Sequence, residues 1–208
     1  MIFKDRKDAG AKLAESLKEY KESPNVLILG LARGGVVLAA EISRILKLPF
    51  DLIMTRKIGA PFNPELAIGA ITETGKGYFN ESLIQALGVS KTYLEEAIQT
   101  EKKEAAKRLA LYRKERPAPS LKGKIVLLVD DGIATGATMM AAALSAQNEG
   151  AKKIVVAIPA APPDSLEFLN PAVDQIICLT PAEDFMAVSQ FYEIFHQVED
   201  AEIVTLLH

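Results

Sequence analysis

One cysteine in 208 residues leaves no possibility of a disulfide within the chain. Stability must then come from burial, and with 49% hydrophobic and 25% charged residues there is enough apolar surface for a full core without metals or crosslinks. The lone Cys178 lies in DQIICLT, which reads as a buried strand, so a small core residue is expected there rather than a nucleophile. Histidine is almost as scarce. His196 and His208 have no Cys or His partner at ligand spacing, which argues against a structural metal site. No apolar run approaches the roughly 18 residues needed to cross a bilayer, and the start, MIFKDRKDAG, is charged where a signal peptide needs an apolar stretch. A cytoplasmic protein without a membrane partner is expected. A net charge of −3 gives no general pull toward nucleic acid. Arg113 and Lys114 sit among interleaved acids with no aromatic platform, so no nucleic-acid partner is expected from them. No Walker A sequence and no Ser-His-Asp spacing occurs either.

What is present is an alternation of strands and helices. After a helix from about Asp8 to Lys21, aliphatic strands are expected at Val26–Gly30, Phe50–Thr55, Ile125–Val129, Lys153–Ile158 and Gln175–Leu179. The pattern is that of an α/β fold with an open, mainly parallel twisted sheet covered by helices on both faces. AIGAITETGKGYF, Ala67 to Phe79, reads as a hairpin turning at Gly75–Gly77 and extending that sheet. Thr92 to Glu115 reads as one long helix. Thr92 with Glu95 makes a capping box, Leu94, Ile98, Ala105, Leu109 and Tyr112 recur at helical spacing, Glu104 can pair with Arg108, and Pro117 and Pro119 end the run.

The stretch IVLLVDDGIATGAT carries the chemistry. An apolar strand stops at Asp130 and Asp131, and Gly132, Gly136 and Ala137 let the backbone turn before an Ala-rich helix from Met139 to Gln147. Amides at a helix N-terminus, with the Thr135 and Thr138 hydroxyls, form a seat for phosphate. Carboxylates beside a phosphate would repel it, so Asp130 and Asp131 are expected to accept hydrogen bonds from neutral hydroxyls such as those of a ribose. A second strand-to-helix turn, VLILGLARGG, offers another anion seat before a helix over Val36–Lys47. Both turns follow strand C-termini, where ligands bind in such sheets.

VDDGIATGAT resembles the phosphoribosyl pyrophosphate (PRPP) motif of the type I phosphoribosyltransferases. The resemblance implies that Asp130 and Asp131 hold the ribose hydroxyls. It implies that the loop of Gly132, Ala134, Thr135, Gly136, Ala137 and Thr138 holds the 5′-phosphate. Ala32, Arg33, Gly34 and Gly35 resemble the family's pyrophosphate loop, often flanked by a non-proline cis bond. Arg56-Lys57 resembles the basic pair that reaches the pyrophosphate in orotate phosphoribosyltransferases. Ile58–Gly69 falls where the family places its mobile loop, and Pro61, Pro64, Gly59 and Gly69 fit an irregular lid. Orotate enzymes carry further Lys and His residues there, which this chain lacks. The 6-oxopurine enzymes place a carboxylate where this chain has Ala134, as the adenine enzymes do. Adenine enzymes use a lid Glu, which makes Glu65 the candidate general acid or base with Glu73 behind it; the alternative is that Glu65 simply faces solvent.

The LxRGG, RKIGAPxNPELAIGA and VDDGIATGAT blocks also resemble a group of predicted phosphoribosyltransferases of uncertain substrate, over nearly the whole length. Residues 1–208 are expected to form one such domain, with a helical insertion over 80–118 that packs on the core or a dimer partner, or joins the hood. The hood itself is expected from the N-terminal segment and residues 180–208. Phe185, Phe191, Tyr192 and Phe195 could stack on a flat base there or serve as core. The implied reaction is transfer of a 5-phosphoribosyl group from PRPP to an acceptor, a nitrogen base, with Mg²⁺ arriving mainly on the substrate, few direct protein ligands for it, and a homodimer possible. The competing reading is a PRPP sensor with little or no transfer.

Overall fold

The computed structural model describes residues 1–114 and 116–208. Five strands, β1 (Val26–Leu31), β2 (Phe50–Ile53), β6 (Ile125–Val129), β7 (Lys153–Ala161) and β8 (Gln175–Pro181), form a wholly parallel sheet in the order β2-β1-β6-β7-β8. Alternate residues of these strands enter different cores, as the two-residue repeat of a strand requires. Ile28, Leu127, Val129 and Val155 pack under α1 (Arg6–Ser16) and α2 (Gly34–Leu46). Leu27, Leu29, Val126, Leu128 and Val156 pack under α5 (Ala137–Asn148). Helices on both faces make the expected α/β architecture. At the α1–α2 crossing Gly10 lies against the backbone of Leu38, where a side chain would hold the helices apart.

Helix boundaries shift where a cap decides them. Helix α1 starts at Arg6, because the Asp5 side chain accepts from the Asp8 amide at 2.9 Å; it ends at Ser16, and a 3-10 turn follows over Lys18–Tyr20. Helix α2 begins at Gly34 rather than Val36, so the glycines of the turn are its first residues.

The hairpin of the sequence exists but joins a different sheet. Strands β3 (Thr55–Ala60), β4 (Asn63–Thr72) and β5 (Gly77–Phe79) form a separate antiparallel sheet in the order β3-β4-β5. The expected strand Phe50–Thr55 divides at Met54, and β3 turns away to pair with β4 instead of continuing beside β1. The segment expected as an irregular lid, Ile58–Gly69, is therefore mostly paired strand with bulges at Ile58/Gly59 and Gly59/Ala60. Gly59 permits this, since a Cβ there would lie 2.5 Å from the Pro64 carbonyl oxygen, and Ile58, Ala60, Ile68 and Ile71 bury one face.

Helix α3 (Glu81–Ala86) leads into α4 (Lys91–Arg113), the long helix. Its cap is Ser90, whose hydroxyl accepts from the Tyr93 amide at 3.2 Å, rather than Thr92. Glu115, expected at its end, lies outside the described residues. The apolar spacing reads true: Leu94 and Ile98 pack on the small sheet, and Ala105, Leu109 and Tyr112 pack on Leu52, Met54 and α7 (Asp200–Leu207). Between β7 and β8 runs α6 (Pro163–Leu169). Residues near both termini meet: the Phe3 amide donates to the Phe191 carbonyl at 2.7 Å, and Glu193 returns a bond to the Phe3 carbonyl at 2.8 Å. Among the described residues no helix is long and apolar enough to cross a membrane.

Candidate active site

The turns after β1 and β6 face each other in contact. A Cβ on Gly34 would overlap the Asp131 carboxylate, and one on Gly35 would overlap the Val129 carbonyl and stand 2.9 Å from Asp130 Cα. The missing side chains let the Asp131 carboxylate lie against Gly34 and the β6 backbone against Gly35. The Ala32–Arg33 peptide just before them is cis, as the resemblance implied.

The second loop is braced from beneath. The Ile133 amide donates to the Ala160 carbonyl at 3.0 Å, and the Ser165 hydroxyl donates to the Ala134 carbonyl at 2.6 Å. Gly136 caps α5 with φ of +79°, a left-handed turn that suits glycine. Ala134 and Thr135 are exposed and Thr138 is half-buried. The amides of Ala137 and Thr138 open α5, where a helix leaves its first N–H groups without intrahelical partners.

The two carboxylates are recessed between these turns. Burial and the neighbouring Asp131 charge push Asp130 well above the usual carboxylate range. Burial also raises Asp131, and the Arg6 guanidinium opposes that rise. Arg6 Nε lies 2.7 Å from Asp131 Oδ2, and its Nη1 donates to the His196 carbonyl at 2.7 Å. The guanidinium carbon sits 3.9 Å from the centre of the Phe195 ring. Tyr192 adds a hydrogen bond from its hydroxyl to the Asp131 carbonyl at 2.6 Å, and burial raises that phenol. Thus Asp131 is held by both ends of the chain.

A cavity of about 440 Å³ opens beside this grip, lined by Arg6, Arg33, Gly34, Phe195, His196 and Gln197, with no carboxylate among its lining residues. Arg33 is steadied from behind: its Nη1 lies 3.5 Å from Asp200 Oδ1, which accepts the Tyr112 hydroxyl at 2.6 Å. The aromatic residues of the C-terminal segment serve the core. Phe191 and Tyr192 are buried, Phe185 packs against Phe191, and Phe195 has Arg6 near its ring and Tyr192 5.0 Å away between centres, so it is not an open stacking surface.

Four sequence candidates stand elsewhere. Arg56 and Lys57 line a separate cavity of about 390 Å³ between β3 and α4. Arg56 Nε is 2.6 Å from Glu101 Oε2 on α4, and Lys57 Nζ is 3.0 Å from Glu65 Oε2, whose side chain is 92% exposed. The fallback Glu73 lies in a third, smaller cavity with Arg113 and Glu149, where burial raises its carboxyl and leaves Oε2 without a partner. The residues whose place at the site was missed from sequence are Arg6, Asp200, Glu101 and His196; Tyr192 was expected in the hood, as a stacking or core residue, but not as a partner of Asp131. Only the charge of FKDRKDAG hinted at one of them.

The phosphoribosyl transferase domain model matches residues 2–193. The chain belongs to the phosphoribosyl transferase family. Two Mycobacterium tuberculosis proteins, from strains CDC 1551 and H37Rv, each named "Putative phosphoribosyl transferase", are 38% identical to it over 206 residues. That match covers 99% of this chain and 46% of each relative, so the chain spans about half their length. Among solved structures, TT1426 from Thermus thermophilus is 39% identical with a TM-score of 0.84, covering 100% of this chain and 98% of that one. A purine phosphoribosyltransferase from Pyrococcus horikoshii shares the fold, with a TM-score of 0.51 at 23% identity over 93% of both chains. The type I resemblance read from VDDGIATGAT thus holds at the level of family and fold.

Proposed function

We propose that this phosphoribosyl transferase domain moves a 5-phosphoribosyl group from PRPP to a nitrogen base and releases pyrophosphate. The observation that carries the reading is the contact of the two strand-exit turns across a recessed pair of carboxylates. In it the 5′-phosphate takes the Thr135–Thr138 amides and hydroxyls, with the α5 dipole behind them. Asp130 and Asp131 accept from the two ribose hydroxyls. Pyrophosphate lies against the Gly34 and Gly35 amides and the Arg33 guanidinium. Bond breaking at the anomeric carbon runs ahead of attack, so the sugar gains positive charge, which two fixed carboxylates favour. Arg56 and Lys57 reach the leaving group only if the β3–β4 hairpin moves, exchanging Glu101 and Glu65 for phosphate oxygens. Glu65, on that hairpin, would then be the group near the acceptor.

The acids fit Mg²⁺. Asp130 and Asp131 repel each other in a desolvated place, which an added cation relieves. Among the described residues no cluster of three or more His, Cys, Asp or Glu side chains could hold an ion without help. Asp130 and Asp131 would complete the shell of an ion carried on the phosphates. When bound, it neutralises charge on the departing pyrophosphate.

One observation favours the sensor reading. Arg6, Arg33, Arg56 and Lys57 each already face a carboxylate, an arrangement that holds the site quiet. Both readings meet one assay, pyrophosphate release from PRPP and Mg²⁺ across a panel of bases. Release with a particular base supports transfer. Tight PRPP binding with no release under any base supports the sensor, and no PRPP binding ends both.

A further inference from the structure

Arg6 occupies an oxygen that the sugar needs. Its Nε lies 2.7 Å from Asp131 Oδ2, while only 9% of the Arg6 side chain and 14% of the Asp131 side chain meet solvent. A ribose hydroxyl seated on that carboxylate therefore competes with the guanidinium. Arg6 lines two cavities, and the smaller, about 250 Å³, carries Asp5 and Glu202, which would repel an anion. The larger, about 440 Å³, is lined by Arg33, Gly34, Phe195, His196, Gln197 and Val198 besides Arg6, and none of these is a carboxylate. The hood already holds the guanidinium at the edge of this cavity, with Nη1 on the His196 carbonyl at 2.7 Å and the Phe195 ring centre 3.9 Å away. Electrostatic need points the same way. Pyrophosphate carries several negative charges, Arg33 is the other cation at this cavity, and Arg56 and Lys57 line a different one.

Building on the phosphoribosyl-transfer reading, we propose that Arg6 is a leaving-group residue held on Asp131 until the sugar arrives. Ribose hydroxyls take Asp131, and the guanidinium then binds the pyrophosphate group through its planar fork. Binding at the two ends of PRPP is thereby coupled through a single side chain. Each half-ligand makes the other bind more tightly, and linkage requires the effect to be equal in both directions.

Calorimetry with ribose 5-phosphate and pyrophosphate as separate ligands, each with Mg²⁺, tests this with wild type and Arg6→Gln. The variant is expected to bind ribose 5-phosphate about threefold more tightly or better, since no cation must be displaced, and pyrophosphate about tenfold more weakly. The mutual enhancement seen in wild type should vanish. Equal weakening of both ligands would mark Arg6 as merely structural and overturn the proposal, as would unchanged pyrophosphate affinity. If Arg6→Gln does not fold, the Arg6 Nε–H resonance of wild type decides. It should shift on saturation with ribose 5-phosphate and again on adding pyrophosphate, and a resonance unmoved by both sinks the idea. Wild type that binds neither half-ligand overturns the phosphoribosyl reading and the proposal together. Wild type that binds both, with Arg6→Gln indifferent, overturns the proposal alone.

Discussion

The Tyr112 hydroxyl donates to Asp200 Oδ1 at 2.6 Å, and the same oxygen lies 3.5 Å from Arg33 Nη1. A residue of the long helix thus steadies a cation of the turn after β1, the proposed pyrophosphate turn, through α7. Tyr112→Phe should cost about 1 kcal/mol of stability and loosen Arg33, weakening pyrophosphate binding several-fold. The phenol is also titratable: burial first, and Asp200 second, push it up from 10.0 to about 12. A raised pKa favours the neutral form in the fold, so this contribution is complete below pH 10.0 and is lost as pH rises toward about 12. Urea unfolding across that window should fall less steeply for Tyr112→Phe than for wild type. Parallel curves would show that the phenol ionises equally in both states.

Asp130 illustrates a site kept at a cost to stability. Its carboxyl is raised by burial and by Asp131, so the fold disfavours its charged form. Asp130→Asn retains an oxygen for the Asp131 amide, now 2.9 Å away, and removes the repulsion. The variant should gain ~1–2 kcal/mol at pH 7 and lose ribose 5-phosphate binding. The gain should shrink as pH falls toward the ordinary value of 3.8, because wild type is then relieved by protonation. Thermal melts of the two proteins from pH 7 downward measure the gap. A variant less stable than wild type at pH 7 would contradict this account.

Local signals carried the parts that local physics decides. Strand Ile125–Val129 appears with its expected ends, since an aliphatic run bounded by two acids has one way to lie in a covered sheet. The tight turns at Gly132–Thr138 and at Gly34-Gly35 were legible because glycines and small residues after an aliphatic strand are encoded in sequence order. Pairing was not. Whether β4 and β5 join the main sheet depends on where β3 goes after Met54, which no short window specifies. Ser90 and Thr92 both offer capping hydroxyls, and only the path of the chain selects Ser90. Arg6 stands 125 positions from the carboxylate it grips, beyond any periodicity.

The long helix also restrains the hairpin. Glu101 holds Arg56 at 2.6 Å with both side chains partly exposed, 25% and 29%. Such a pair contributes at most ~1 kcal/mol to stability, so Glu101→Gln should melt close to wild type. Its effect belongs to motion and binding. Amides of Ile58–Gly69 should exchange hydrogen faster, and PRPP should bind a few-fold more tightly because Arg56 no longer has to leave a carboxylate. Unchanged exchange would mean that strand pairing, and not this ion pair, holds the hairpin.

Neighbouring glycines of the turn after β1 should respond differently to alanine. Both open α2, and neither has positive φ, so the backbone itself accepts a side chain. What differs is the obstacle. At Gly34 the new methyl meets the Asp131 carboxylate, the mobile end of a side chain, whereas at Gly35 it meets the Val129 carbonyl and lies 2.9 Å from Asp130 Cα. Gly34→Ala is expected to fold with a modest loss of stability while displacing the carboxylate and weakening ribose 5-phosphate binding about tenfold or more. Gly35→Ala must push β6 away from α2 and should cost ~1–3 kcal/mol, the usual range for forcing extra atoms into packed structure. Denaturant melts and ribose 5-phosphate titrations on the pair separate the two effects. If Gly34→Ala binds the sugar as wild type does, then Asp131 Oδ2 is not where its hydroxyl rests.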